Sequence, residues 1–290
     1  MSGALLSLVA MALAARQLSV TIPVPEILFF RSVCGLLVIS ASLCRYGWRQ
    51  VRTRQPGWHL IRNVSHFAGQ YGWIYGIAFI PMAQVFAIEF TAPVWTAILA
   101  VVALGERMTV TRVISIAMGL AGVFIIVRPD TGLVHPAAMA VLFGAMAFAL
   151  SYVGTKKLAA TATPLCILFY MSLIQLALGT LPTALHWVTP DLALLPPIIL
   201  AGTMGLVTHY CLARAMALAD ATVVVPLDFL RLPLIAVVGA MFYGEAFQPA
   251  LFLGAAFILA GNLISILVER RTGVARKAQG TTVGPVTPRR

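Results

Sequence analysis

Charge is scarce in this sequence, and acidic charge is scarcest. Its 290 residues include nine Asp and Glu against 20 Lys and Arg, 10% charged in all, where a soluble domain carries about 25%. Hydrophobic residues make up 60%, and mean hydropathy is +0.95. A soluble fold of this size cannot cover its surface with so few charges, and a disordered chain needs far more of them. Cysteine is scarce too. Cys34, Cys44, Cys166 and Cys211 lie singly in apolar stretches without metal-ligand spacing. That excludes a disulfide scaffold and leaves them as small buried hydrophobes. There is no P-loop, HExxH, GxSxG or CxxC-type pattern, so nothing points to an enzyme, a metal or a cofactor. What remains is an all-α integral membrane protein.

A spanning helix needs about 20 apolar residues, with about 17 as the lower bound. Ten stretches qualify: 3–20, 26–44, 62–80, 83–104, 112–128, 136–155, 164–185, 197–218, 221–243 and 248–268. Short links rich in turn residues join them, so neighbouring helices run antiparallel and no link can hold a soluble domain. The first stretch lacks a basic lead and a small-residue cleavage site, so it reads as a retained helix. The sequence leaves open a start codon further upstream.

Lys and Arg are distributed unevenly over the links. With the N-terminus in the cytoplasm, sixteen face that side, grouped as Arg45–Arg62, Arg107/Arg112, Lys156/Lys157, Arg214 and the tail, and only Arg128 faces the other. The positive-inside rule therefore predicts a multi-pass protein of the cytoplasmic membrane with both termini inside. It also accounts for the net charge of +11 through anionic headgroups, without any nucleic-acid partner. Residues 269–290, rich in Gly, Thr and Arg, read as a basic disordered cytoplasmic tail.

The two halves align at one constant offset of 139 residues: Gly105-Glu106 on Gly244-Glu245, Glu89-Phe90 on Asp228-Phe229, Tyr71 on Tyr210, Pro25 on Pro164 and Ala121-Gly122 on Ala260-Gly261. In so apolar a chain, two acidic matches at one offset are hard to obtain by chance. Each copy holds five spans, an odd number, so the second enters the membrane from the opposite side. The expected organisation is two inverted five-helix repeats, 3–128 and 136–268, around a central cavity. This architecture belongs to secondary transporters that bind substrate near the midplane.

The run from Pro93 to Glu106, then Gly119-Leu-Ala-Gly122 and Val127-Arg128-Pro129, resembles the EamA repeat of the drug/metabolite transporter superfamily. A second copy runs from Pro226 through Gly244-Glu245 to Gly261, and Glu26–Arg31 resembles the start of that family's second helix. The resemblance implies a ten-helix basket that moves small metabolites, often outward, without an ATP-hydrolysing domain. Its members take amino acids, purine-related compounds, sugars and S-adenosylmethionine. The nearest likeness is to members associated with S-adenosylmethionine-type transport, although no motif in this chain specifies that substrate.

Ionisable residues inside a membrane cost about 2.5–3.5 kcal/mol each on insertion scales, so each needs a reason. Glu89 and Asp228 are related by the repeat and fall within several ångströms of the midplane, Glu89 at a depth of about 10 Å. They read as a cavity carboxylate pair for an amine or a proton, or else as structural ion pairs. Arg231 shares a helix face with Asp228, and either neutralises it or holds the carboxylate of a zwitterion. Arg31 reaches the cavity, pairs with Glu89 or Glu26, or snorkels outward. Arg16 reads as snorkelling. Gln70 and His209 occupy equivalent positions beside Tyr71 and Tyr210, as interhelical hydrogen bonders or substrate contacts. Trp73, Tyr75 and Trp95 are packing residues or stacking platforms. Glu106 and Glu245 close the 4–5 and 9–10 hairpins, and Gly119/Gly122 and Gly254/Gly261 make small packing faces.

The function expected is secondary transport of a small polar metabolite, amino-acid-like or nucleoside/S-adenosylmethionine-like, by alternating access, with proton coupling as a hypothesis from the two acids. The alternatives are an exporter of hydrophobic cations and, from another class, a non-transporting membrane protein or membrane enzyme. The expected partners are the substrate and the bilayer. The chain could act as a monomer or a homodimer.

Overall fold

A computed structural model describes residues 2–104, 109–127, 135–159, 161–218, 230–246 and 248–280. Among them every regular element is helical: α1 (Ser2–Leu18), α2 (Val24–Tyr46), α3 (Pro56–Phe79), α4 (Met82–Glu89), α5 (Ala92–Leu104), α6 (Val110–Val127), α7 (Pro136–Ala159), α8 (Pro164–Leu185), α9 (Leu195–Leu218), α10 (Arg231–Tyr243) and α11 (Pro249–Gly280). Two short 3₁₀ turns, Trp48–Val51 and Leu192–Leu194, lie in the links. Proline opens α3, α7, α8 and α11, where its missing N–H is no loss and its fixed φ already suits a helix.

Five of these helices (Val24–Tyr46, Pro136–Ala159, Pro164–Leu185, the stretch Leu192–Cys211 and Pro249–Val268) are long and apolar enough to cross a membrane. Ser2–Leu18, Val113–Ile126 and Arg231–Tyr243 are apolar but shorter. The ten expected spans differ from this picture in three ways. Helix α3 starts at Pro56 rather than 62 and buries His59, Arg62, Asn63, His66 and Gln70, so its polarity faces inward. The expected fourth span is broken into α4 and α5. The last helix continues through Gly280, so the nearer part of the expected disordered tail is helical, while 281–290 lie outside the described residues.

The break between α4 and α5 follows from Pro93. Its ring clashes with the carbonyl four residues back, that of Glu89, and it has no N–H to donate there. The helix accordingly ends at Glu89, and a tight turn at Phe90-Thr91 leads into α5, with Thr91 N bonded to Ile88 O at 3.0 Å. Thr91 Oγ1 also donates to Ile88 O (2.7 Å), and Asn262 of α11 donates to Phe90 O (3.2 Å). Side chains thus satisfy backbone carbonyls that the broken helix cannot.

The links segregate to two ends, as an up-and-down chain requires. At one end Glu26 accepts from Val188 N and Glu245 from Met82 N, while Phe29 and Phe30 pack on Trp187. At the other, Cys166 Sγ faces Val51 O, Trp48 packs on Phe169 and Arg62 Nε donates to Thr155. Helix α3 packs along α7, α9 along α1, α2 along α8 and α6 along α11. Small residues permit the closest of these contacts. A Cβ on Gly122 would stand 2.5 Å from Gly254 O, and one on Gly254 would stand 2.5 Å from Gly122 O. On α3, a Cβ on Gly72 would strike the Ala140 carbonyl. Adding 139 to the first residue of α3 (56) yields that of α9 (195), and adding it to the first residue of α5 (92) yields that of α10 (231). Helix starts therefore repeat along with the residues.

Candidate functional site

The cavity sits where α1, α2, α3, α4, α7, α9 and α10 converge. Counted out to its open mouth, the empty space is ≈ 640 Å³. Polar groups come from Arg31, His66, Gln70, Glu89, Thr208, His209 and Arg231, and flat walls from Trp73, Phe148 and Tyr152. Ring planes of Phe148 and Tyr152 lie 18° apart with centroids at 6.4 Å.

Glu89 is positioned by the helix break, which places it at the last turn of α4. Trp73 Nε1 donates to its Oε2 at 2.8 Å, and Arg231 Nη2 lies 3.4 Å from its Oε1. The two side chains are 11% and 12% exposed, so the pair is largely withdrawn from water, where a charge-assisted contact is strong and a broken one costly. Arg231 also stacks over Phe90 at 4.2 Å. The arginine expected beside Asp228 therefore neutralises Glu89 across the repeat. Asp228 lies outside the described residues, as does Glu106.

Gln70 lines the cavity and is buried. His209 lies beside it, its ring 5.6 Å from that of His66, which bonds Gln175 at 2.9 Å. Arg31 also reaches the cavity, and the structure does not pair it with Glu89 or with Glu26, whose Oε2 accepts from Val188 N.

Other expected candidates are not brought to the cavity. Tyr71 and Tyr210 are 40% and 64% exposed and face outward. They are the residues next to Gln70 and His209, and one step along a helix turns a side chain by about 100°. Trp95 donates to Thr91 in the turn that leads into its helix (3.1 Å) and packs on the core. Arg16 does not snorkel: it donates to the carbonyls of Ile77 and Ile80 at the end of α3. Glu245 does not close its own hairpin. Gly244, at φ +63°, turns the chain so that both Glu245 oxygens accept from Met82 N, the start of α4 in the other half. Sequence reading missed Phe148, Tyr152, Thr208 and Gln175. Only the buried amide of Gln175 carried a signal, as a lone polar group in an apolar helix.

Residues 1–128 and 135–267 each match the EamA-like transporter family. The chain is 27% identical over 248 residues to an S-adenosylmethionine uptake transporter of Rickettsia prowazekii, covering 85% of this chain and 84% of that protein. It is 34% identical over 230 residues to a riboflavin transporter of Rhizobium johnstonii, covering 79% and 76% respectively. A solved crystal structure, 20% identical, superposes with a TM-score of 0.64 over 93% of this chain and 98% of that one, which bears on the fold alone.

Proposed function

The chain belongs to the EamA-like transporter family, as a multi-pass membrane transporter and not an enzyme, and on that premise we propose that it carries a compact heterocyclic metabolite with a polar chain by alternating access. The observation that carries this reading is Glu89, held between Trp73 and Arg231 at the broken helix and facing the cavity. S-Adenosylmethionine and riboflavin, named for two relatives, both join a heterocycle to a polar chain. Phe148 and Tyr152 suit the former, and Gln70, Thr208 and His209 the latter. Among the described residues two arginines stand against one glutamate in the cavity, which weighs against hydrophobic cations.

The proposed architecture is two inverted five-helix repeats, with the basic ends of the helices and both termini in the cytoplasm. The coinciding starts of α3 with α9 and α5 with α10 support the repeat, and the basic residues support the orientation. In this arrangement the Glu245–Met82 contact lies on the outer side and must part when the site opens outward. Glu89 also serves as the proton-coupling acid in this proposal, since an intramembrane carboxylate can exchange Arg231 for a proton.

Proteoliposomes test both parts. Wild-type protein should take up labelled S-adenosylmethionine or riboflavin, and Glu89→Gln should lose at least about tenfold of the rate, the cost of one charge-assisted contact. Uptake by wild type that ignores an imposed pH gradient would refute proton coupling. Uptake by Glu89→Gln at the wild-type rate would refute the site.

A further inference from the structure

The described arginines that are buried or half-buried in this fold are accounted for, with one exception. Arg62 is held by Thr155 and Asn63, Arg16 by two carbonyls, and Arg231 by Glu89 and the face of Phe90. Arg31 has no carboxylate at ion-pair distance among the described residues. Its guanidinium is nonetheless accommodated: Gly205 leaves room for it, a Cβ there standing 3.0 Å from Nη2.

Arg31 also sits at a junction. A second cavity, with ≈ 320 Å³ of empty space, lies between α2, α3, α8 and α9. Arg31, Gln70, Gly205 and His209 line both it and the cavity of Glu89. The second lobe adds the polar groups of Ser32, Ser172 and Gln175, beside apolar walls from Met171 and Leu206. Ser32 is committed to Leu28 O and Gln175 to His66, so both are fixed in place.

An uncompensated guanidinium in a low-dielectric wall is unfavourable until an anion arrives, and its planar fork suits a carboxylate or phosphate in a bidentate contact. We propose that the transported solute bears an anionic group, a carboxylate or a phosphate, which docks on Arg31 in the second lobe while its ring lies in the first. This rests on the transport reading above and assigns the solute's charge. Arg231, already engaged by Glu89, is not the anion handle.

The test uses the full chain in nanodiscs of neutral phosphatidylcholine, with gluconate as the buffer anion. Thermal midpoints are measured against inorganic phosphate, malonate and two matched pairs: S-adenosylmethionine with its decarboxylated form, and riboflavin 5′-phosphate with riboflavin. Phosphate against malonate distinguishes the two anion types. In at least one pair the anionic member should stabilise wild type at concentrations on the order of ten- to hundredfold lower than its twin. Arg31→Met should abolish that difference and, without anions, be at least as stable as wild type. Arg31→Lys should retain part of the difference. A fall in the midpoint of Arg31→Met without anions would overturn the proposal, because the guanidinium would then be neutralised within the chain. Equal stabilisation by both members of each pair, or by none, would overturn it as well. Failure of every compound to move in proteoliposomes would sink the transport reading separately, whatever the midpoints show.

Discussion

Glu245 offers the sharpest test of how the two halves are fastened. Pro81 precedes α4 and cannot cap it with a side chain, so the first amide of the helix, Met82 N, turns to Glu245, 3.1 and 3.0 Å from its two oxygens. The carboxylate lies over Gly239, where any Cβ would collide with it. Replacing a capping oxygen costs about 0.5–2 kcal/mol. One amide is shared between the two oxygens, so Glu245→Ala should cost about 1 kcal/mol and lower Tm by roughly 2–4 °C.

The carboxyl also carries a pH signature. Burial pushes it above its ordinary value of 4.5, while the Met82 amide and the Arg16 guanidinium pull it back. The native state then holds the proton to higher pH than the unfolded chain does. Between 4.5 and the raised folded value, stability must therefore fall as pH rises, and flatten above it. Glu245→Gln should remove this slope and still accept from Met82 N. The assay is tryptophan-fluorescence melting in nanodiscs at half-unit steps from pH 4 to 7. A wild type whose Tm rises over that interval relative to Glu245→Gln would refute the reasoning. An alanine variant that melts with wild type throughout would refute the cap.

Two further outcomes follow from packing and exposure. Gly254→Ala drives a Cβ to 2.5 Å from Gly122 O and Ile126 Cγ1, and such overpacking costs about 1–3 kcal/mol, so its Tm should drop; a Tm equal to that of wild type would refute the close approach. Tyr71→Phe and Tyr210→Phe, on exposed faces, should leave uptake in proteoliposomes within about twofold of wild type, since single changes away from buried features stay near ±0.5 kcal/mol; a tenfold loss would place those hydroxyls in the site.

The repeat offers one internal comparison. Gln70 and His209 occupy equivalent places and both reach the cavity, whereas Glu89 is matched by Asp228, outside the described residues. The asymmetry falls on the next turn of the helices. Ala92 opens α5, and its equivalent Arg231 opens α10, so only the second half sends a cation across to Glu89. A perfectly symmetric cavity would have left that acid without this partner.

Class and the approximate number of helices were legible in the sequence because they depend on quantities summed over many residues. Sixty per cent hydrophobic content, apolar runs and the constant offset survive any error at a single position. A proline inside an apolar run, such as Pro93, acts locally, because one ring and one missing amide disturb their own helix. The site divided along the same line. Glu89, Gln70, His209, Arg31 and Arg231 stood out because a polar group in an apolar helix is costly wherever it points. Their partners did not, since Arg231 to Glu89, Glu245 to Met82 and Arg16 to Ile77 are contacts between residues far apart in the chain. Nor did the separation of Gln70 from Tyr71, adjacent in sequence and turned about 100° apart on the helix. Composition reports that a polar group is present. Only the packed helices decide which way it faces and which charge it meets, because both depend on helix rotation and on the close approach that residues such as Gly122, Gly205 and Gly254 allow.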